Sequence, residues 1–217
     1  MKIGILWDLD GTLLDTLEDL KDALNYALRY HHCPERSLDE VRQFVGNGAA
    51  RLIWLAVPHG KTAPTWEAVL DTFHTYYQTH CRLKTKPYDG ILEAMDVLGQ
   101  RYPMAVVSNK PDAAVKKLCP EYCGSSYARG ESADCPRKPA PDMVYKAMVA
   151  LGVDRCIYVG DSEGDIATAK NAGVPCLSVL WGFRDRDVLT EAGAEYFCQS
   201  PAQLPEIIDR IAAQLGA

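Results

Sequence analysis

Short apolar runs alternate with amphipathic stretches over most of this chain. The first run, Ile3-Gly4-Ile5-Leu6-Trp7, has the continuous apolar character of a strand buried on both faces. Met104–Val107, Ile157-Tyr158-Val159 and Cys176–Leu180 repeat it, and Tyr196-Phe197 is a shorter candidate. Between them, Gly90–Leu98, Pro111–Leu118, Pro141–Leu151 and Glu163–Ala172 carry helical spacing, the last two closed by Gly152 and Gly173. Ser200-Pro201-x-Gln203 predicts the cap of a final helix, with proline in the favoured first position. Strands alternating with helices imply a parallel sheet.

Residues 15–85 interrupt that series. Thr16-Leu17-Glu18-Asp19 resembles a capping box with Asp in place of Glu, and Leu17, Leu20, Leu24, Ala27 and Leu28 follow at helical spacing. Ser37-Leu38-Asp39-Glu40 is a full capping box. Gly46-Asn47-Gly48 breaks that helix, another runs through Leu52, Ile53, Leu55 and Ala56 to Pro58, and a further one from Trp66 to Tyr77. No convincing strand occurs in the block. The expected fold class is α/β, a parallel-sheet Rossmann-like core (1–14 and 86–217) with an inserted helical cap domain (15–85). Cys119–Arg137 resists assignment beyond a short strand near Tyr127-Ala128.

Composition narrows the function classes. With 217 residues, 47% hydrophobic and 24% charged, the chain can bury a sizeable core. A net charge of −6 argues against a nucleic-acid surface. An anionic substrate would then need local positive charge. No apolar run reaches membrane-spanning length, and only five mostly apolar residues separate Lys2 from Asp8, too few for a signal peptide. The expectation is a cytoplasmic protein without nucleic-acid or membrane partners, its oligomeric state open. The eight cysteines read as reduced thiols, because Cys119, Cys123 and Cys135 lack zinc-ligand spacing and a nearby histidine.

The chemistry gathers at strand ends. Asp8-Leu9-Asp10-Gly11-Thr12 follows the first run, and side chains two apart on a strand point the same way. Asp8 and Asp10 should project together where open α/β sheets place their ligands. They repel each other unless a cation or a shared proton intervenes. Ser108-Asn109-Lys110 ends the second strand and Asp161 a later one. Each has a plain alternative: Asp and Gly form turns, Ser and Asn cap helices, Lys138-Pro139 is a common loop pair. Their order is what sets them apart.

In that order, Asp8-Leu9-Asp10-Gly11-Thr12, Ser108-Asn109, Lys138-Pro139-Ala140-Pro141 and Gly160-Asp161-Ser162-Glu163-Gly164-Asp165 resemble the four signatures of the haloacid dehalogenase superfamily. Val45-Gly46-Asn47-Gly48, Pro87-Tyr88-Asp89-Gly90, Ser108-Asn109-Lys110-Pro111, Lys138-Pro139-Ala140-Pro141-Asp142, Val159–Glu163 with Asp165-Ile166, and Trp181-Gly182 narrow the likeness to phosphoglycolate phosphatase-like members. The resemblance covers almost the whole chain and is weakest at Cys119–Arg137.

It implies a Mg²⁺-dependent phosphatase for a small phosphorylated metabolite, phosphoglycolate first. Asp8 would be the nucleophile and form an aspartyl-phosphate. Asp10 would act as general acid and then general base, and Lys138 would neutralise Asp8 and the phosphoryl group. Asp8, Asp161 and the Asp10 carbonyl would ligate Mg²⁺, with Asp165 holding waters or Lys138 behind them. Thr12, Ser108, Lys138 and the N–H groups of Gly11 and Asn109 would cradle phosphate oxygens. In the cap, Asn47 and Gly48 could sense the substrate and Arg51 could meet its carboxylate, although a plain turn and a solvated helix residue serve as well. Trp54, Trp66, Tyr76 and Tyr77 read as cap core, the five histidines as unrelated to a metal, and Arg184–Asp187 as a surface loop. Rival readings are a phosphomutase or pyrophosphatase of the same superfamily, and a catalytically silent phosphate-binding regulatory module. A dehalogenase and a phosphonate hydrolase fit the acidic set less well.

Overall fold

In the computed structural model, described for residues 1–122 and 127–216, the chain divides into two compact units. One comprises Met1–Leu14 and Pro87–Ala217, the other Asp15–Lys86. In chain order the elements are β1 (Ile3–Trp7), β2 (Leu14–Asp15), α1 (Leu17–Tyr30), α2 (Leu38–Phe44), α3 (Gly48–Ala56), α4 (Trp66–His80), β3 (Lys86–Pro87), α5 (Ile91–Gly99), β4 (Met104–Pro111), α6 (Asp112–Tyr122), β5 (Tyr127–Glu131), α7 (Asp142–Leu151), β6 (Arg155–Gly160), α8 (Glu163–Ala172), β7 (Cys176–Val179), α9 (Arg186–Glu191), β8 (Tyr196–Cys198) and α10 (Leu204–Gly216).

The first unit is an α/β layer fold. Its six-stranded sheet has the order β5-β4-β1-β6-β7-β8, with every pair parallel. The apolar runs are continuous because both faces are covered. Ile5, Trp7, Val106, Ile157 and Val159 join one buried cluster with residues of α5, α6 and α10. Leu6, Ala105, Val107, Cys156 and Tyr158 join another with residues of α7 and α8. Successive strands lie on one side of β1 up to β5, and then β6 takes the other side. That reversal puts the C-terminal ends of β4, β1 and β6 side by side, at the kind of switch point where such sheets bind ligands.

The second unit is a helical block. Leu20, Leu24 and Leu28 of α1 and Val69, Phe73 and Tyr77 of α4 are buried there, while Trp54 and Trp66 meet edge to face. The capping box predicted at Ser37 and Glu40 is present, both halves bonded. Positive φ at Gly46 and Gly48 separates α2 from α3. Tyr76 stacks on Tyr26 and His80 and is half-buried rather than core.

Several expectations need correction. The box at Thr16 does not form: its hydroxyl is buried without a hydrogen-bond partner. Asp19 instead accepts from the N–H groups of Lys84 and Thr85 and from the Thr85 hydroxyl, at 2.8–3.1 Å. An ionised carboxylate gains more from several loop donors than from its own helix end. Ser200 caps a 3₁₀ turn over Pro201–Gln203 before α10, without a side-chain bond. The block is not wholly helical, because Asp15 and Lys86 belong to the paired short strands β2 and β3. Of the segment expected to be a surface loop, Asp185, Arg186 and Asp187 are exposed, but Arg184 is buried and bonded to Glu163 at 2.8 Å, and α9 starts at Arg186. In Cys119–Arg137 a five-residue strand, β5, appears, while 123–126 lie outside the described residues. The seven described cysteines are free thiols. Among the described residues no helix is long and apolar enough to cross a membrane.

Asp19 gives a test of this account. Asp19→Ala strands the N–H groups of Lys84 and Thr85 and should cost about 1–3 kcal/mol in urea unfolding. A loss under ~0.5 kcal/mol would mean that water replaces the carboxylate.

Candidate active site

Asp8 follows β1 directly, and its N–H continues the ladder to the Val159 carbonyl at 2.8 Å. The turn after it is tight. Gly11 has φ +85°, its N–H donates to the Leu14 carbonyl at 2.9 Å, and a Cβ there would overlap the Asp161 carboxylate. Only glycine fits on both counts. The Thr12 hydroxyl, fully buried, donates to Asp161 Oδ1 at 3.1 Å. The Gly11 N–H and the Thr12 hydroxyl are therefore engaged inside the protein. They shape the Asp8–Thr12 turn and hold Asp161.

Asp161 ends β6 and meets this turn from the neighbouring strand. Its Oδ2 accepts from the Phe183 N–H at 2.8 Å, and a Cβ at Gly182 would overlap the Asp161 side chain and the Gly11 carbonyl oxygen. Trp181 fastens this strap by donating from Nε1 to the Thr12 carbonyl at 3.0 Å. Sequence reading noted Trp181-Gly182 as a likeness only. The signal it missed is the need for a residue without a Cβ beside an acidic strand end.

Asp165 lies in the first turn of α8, fully buried. Its Oδ2 accepts from the N–H and hydroxyl of Ser162 and from the Asp161 N–H, completing a capping box. Its Oδ1 accepts from Lys138 Nζ at 2.6 Å and the Tyr158 hydroxyl at 3.1 Å. Both oxygens are thus saturated by protein donors. Tyr158 also lies 3.1 Å from Lys138 Nζ. It was hidden in an apolar run, although a tyrosine hydroxyl inside a core always needs a partner.

Lys138 is the cation of the cluster. Its Nζ stands 2.8 Å from Asp8 Oδ1, off the line of a hydrogen bond, so the contact is mainly one of charge. Asn109 holds its backbone from both sides: Oδ1 accepts the Lys138 N–H at 2.7 Å and Nδ2 donates to its carbonyl at 3.2 Å. Ser108 Oγ accepts from the Lys110 N–H at 3.2 Å. Lys110, unassigned by sequence, reaches Asp10 Oδ1 at 2.7 Å. Asn47, Gly48 and Arg51 belong to the helical unit, Asn47 preceding α3 without a side-chain cap, Gly48 opening it and Arg51 exposed on it.

Ligand oxygens of Asp8, Asp161 and Asp165 lie within 4.8 Å of one another, all buried. Burial drives the Asp8 carboxyl up to about 7, with the Asp165 charge adding to it and Lys138 opposing. Burial and the charges of Asp165 and Asp8 raise Asp161 well above the usual carboxylate range. Burial pulls the other way on Lys138, but Asp165 and Asp8 outweigh it and hold the ammonium charged. One ammonium among three carboxylates leaves negative charge uncompensated. The donors are all oxygens, and Asp8 Oδ1 lacks a directed hydrogen bond. Such a set fits a hard divalent cation. Asp165 is already saturated, so Asp8 and Asp161 are the carboxylates with capacity to ligate.

The haloacid dehalogenase-like hydrolase family model matches residues 5–179. A phosphoglycolate phosphatase of Xanthomonas campestris is 30% identical, over 94% of this chain and 95% of the relative. An N-acetylmuramic acid 6-phosphate phosphatase of Pseudomonas aeruginosa is 32% identical, over 95% of each. The solved structure of a nominal phosphoglycolate phosphatase from Lactobacillus delbrueckii subsp. bulgaricus is 36% identical, with a TM-score of 0.89 over 94% of this chain and 96% of that one.

The raised Asp8 carboxyl sets a pH dependence. The native state keeps this proton up to about pH 7, whereas the unfolded chain releases it near 3.8. Stability of the metal-free protein therefore falls as pH rises across that window. Asp8→Asn should melt higher than wild type in chelator at pH 8, with the gain shrinking toward pH 5. Calorimetry showing no gain at pH 8 would mean that Lys138 fully offsets the buried charge.

Proposed function

Because the chain belongs to the haloacid dehalogenase-like hydrolases, we propose that it is a Mg²⁺-dependent phosphomonoesterase that works through an aspartyl-phosphate on a small phosphorylated metabolite. The observation that carries this reading is Asp8 itself. It is a buried strand-end carboxylate, in charge contact with Lys138 and grouped with Asp161. Asp8, Asp161 and the Asp10 carbonyl would hold the metal. When bound, Mg²⁺ supplies Lewis-acid charge to the phosphoryl oxygens and lowers the repulsion around Asp8.

The protein's own groups divide the remaining work. An Asp8 oxygen bonds to phosphorus as the ester P–O bond breaks, and Asp10 gives the leaving oxygen its proton. Water then attacks phosphorus, Asp10 takes its proton, and the bond to Asp8 breaks with its electron pair returning to the carboxylate. Lys138, held by Asn109 and Asp165, places fixed positive charge where the phosphoryl charge develops. Ser108 Oγ and the Asn109 N–H are the proposed phosphate donors, while Gly11 and Thr12 keep the turn in shape.

Phosphoglycolate is the first candidate substrate, since several relatives carry that name. A sugar phosphate is the second, because one relative is named for such an ester. The core donors recognise only the phosphate shared by both. We therefore assign discrimination to Asn47, Gly48 and Arg51, with Arg51 as the partner for a substrate carboxylate.

Phosphate release from phosphoglycolate, a sugar 6-phosphate and an aryl phosphate, with Mg²⁺ and with chelator, tests this reading. Asp8→Asn should abolish release from all three, and chelator should do the same to wild type. Sustained release in either case refutes the mechanism. Isomerisation of the sugar phosphate without phosphate release would favour a mutase.

Arg51→Ala should lower kcat/KM for phosphoglycolate far more than for the aryl ester, by about 2–5 kcal/mol. Equal losses on both would assign Arg51 to folding or general support.

A further inference from the structure

Lys110 is a buried lysine that the phosphatase chemistry leaves without a task. It lies near the end of β4, its side chain only 2% exposed, with Nζ 2.7 Å from Asp10 Oδ1. Its backbone is fixed. The N–H donates to Ser108 Oγ, and its carbonyl is approached so closely by Gly130 that a Cβ there would overlap it. Asp112 locks the same junction by accepting the Gly130 N–H at 2.9 Å. Between Val107 and Pro111 the register against β5 slips, with three residues on β4 set against one, Gly130, on β5. Irregularities of this kind re-aim side chains next to active sites.

Asp10 needs such a partner. It lies beyond the strand, in the turn, and the Asp8 carboxylate beside it carries like charge. Its side chain is 16% exposed, so rotation toward water is open to it. We propose that Lys110 is a positioning residue that holds Asp10 by Oδ1, so that Oδ2 exchanges the proton in both half-reactions. This rests on the phosphatase reading above. In the second half-reaction the water oxygen bonds to phosphorus and its proton goes to Asp10 Oδ2. The P–O bond to Asp8 breaks, and its electron pair stays on the Asp8 oxygen. Without Lys110 the chain still binds substrate and still has its nucleophile, but its acid and base is misplaced.

The test uses Lys110→Met and Lys110→Arg, with Lys110→Gln if the Met variant is insoluble. Steady-state rates on phosphoglycolate and an aryl phosphate are combined with rapid-quench trapping of ³²P-labelled enzyme. Removing the charge should lower kcat by about 100-fold, leave KM within about three-fold, and let phosphoenzyme accumulate from the aryl ester. Its good leaving group needs little acid assistance. Lys110→Arg should recover part of the rate. Lys110→Met added to Asp10→Asn should cost nothing further, because both act through one group. A raised KM for phosphoglycolate with kcat intact, additive losses with Asp10→Asn, or an unchanged phosphoenzyme level would each overturn the proposal. If wild type forms no phosphoenzyme and releases no phosphate, the phosphatase reading has failed and takes this proposal with it.

Discussion

Three buried carboxylates, Asp8, Asp161 and Asp165, have one ammonium, Lys138, among them, and much of the core unit's polar interior answers to that imbalance. Charges of like sign in a poorly solvated site are costly, and proteins keep them only where the surroundings restrain them. Here the restraint is specific to each group. Asp165 is saturated by five donors, Asp161 is held by Thr12 and the Phe183 N–H, and Lys138 is clamped by Asn109. Asp8 alone is met by charge without a directed bond. The group proposed to react is the least satisfied member of the cluster, and its neighbours hold it there.

The sheet makes this arrangement possible. β4, β1 and β6 are adjacent and parallel, so polar residues far apart in sequence arrive at one edge. The rigidity comes from the two apolar clusters that enclose those strands. Close approach does the remaining work. Gly11 and Gly182 let backbone pass where a Cβ would displace the Asp161 carboxylate, which ties the Asp8–Thr12 turn and the 181–183 strap to one acidic group.

Much of this is legible in sequence, for identifiable reasons. A strand buried on both faces is a continuous apolar run, and the residue just past it is the one the sheet presents, so Asp8 and Asp161 could be read off directly, whereas Ser108 lies inside β4, which runs on past the apolar run to Pro111. Asp165 could be placed by its spacing from Asp161. What stayed hidden were partners chosen in three dimensions. Tyr158 looks like any apolar strand residue until its hydroxyl is found between Lys138 and Asp165. Arg184 looks solvated until Glu163 meets it. Thr16 and Asp19 have capping-box spacing, yet a loop 65 residues away takes the carboxylate. Local patterns specify which groups need partners; only the fold specifies which partners they get.

The same distinction separates Thr12 and Gly11 from Ser108 and Asn109. All four stand in signature segments, and the family resemblance gives them one shared task. Their bonds divide them. The Thr12 hydroxyl and the Gly11 N–H are spent within the turn, and the Asn109 side chain is spent on Lys138. Ser108 Oγ accepts a hydrogen bond from Lys110 and still carries its own proton to give. A donor already engaged cannot bind phosphate without breaking the contact that shapes the site. On the phosphatase reading proposed above, Ser108 is the member of this set with a side-chain donor left for phosphate, and the others act by keeping the turn and Lys138 in place.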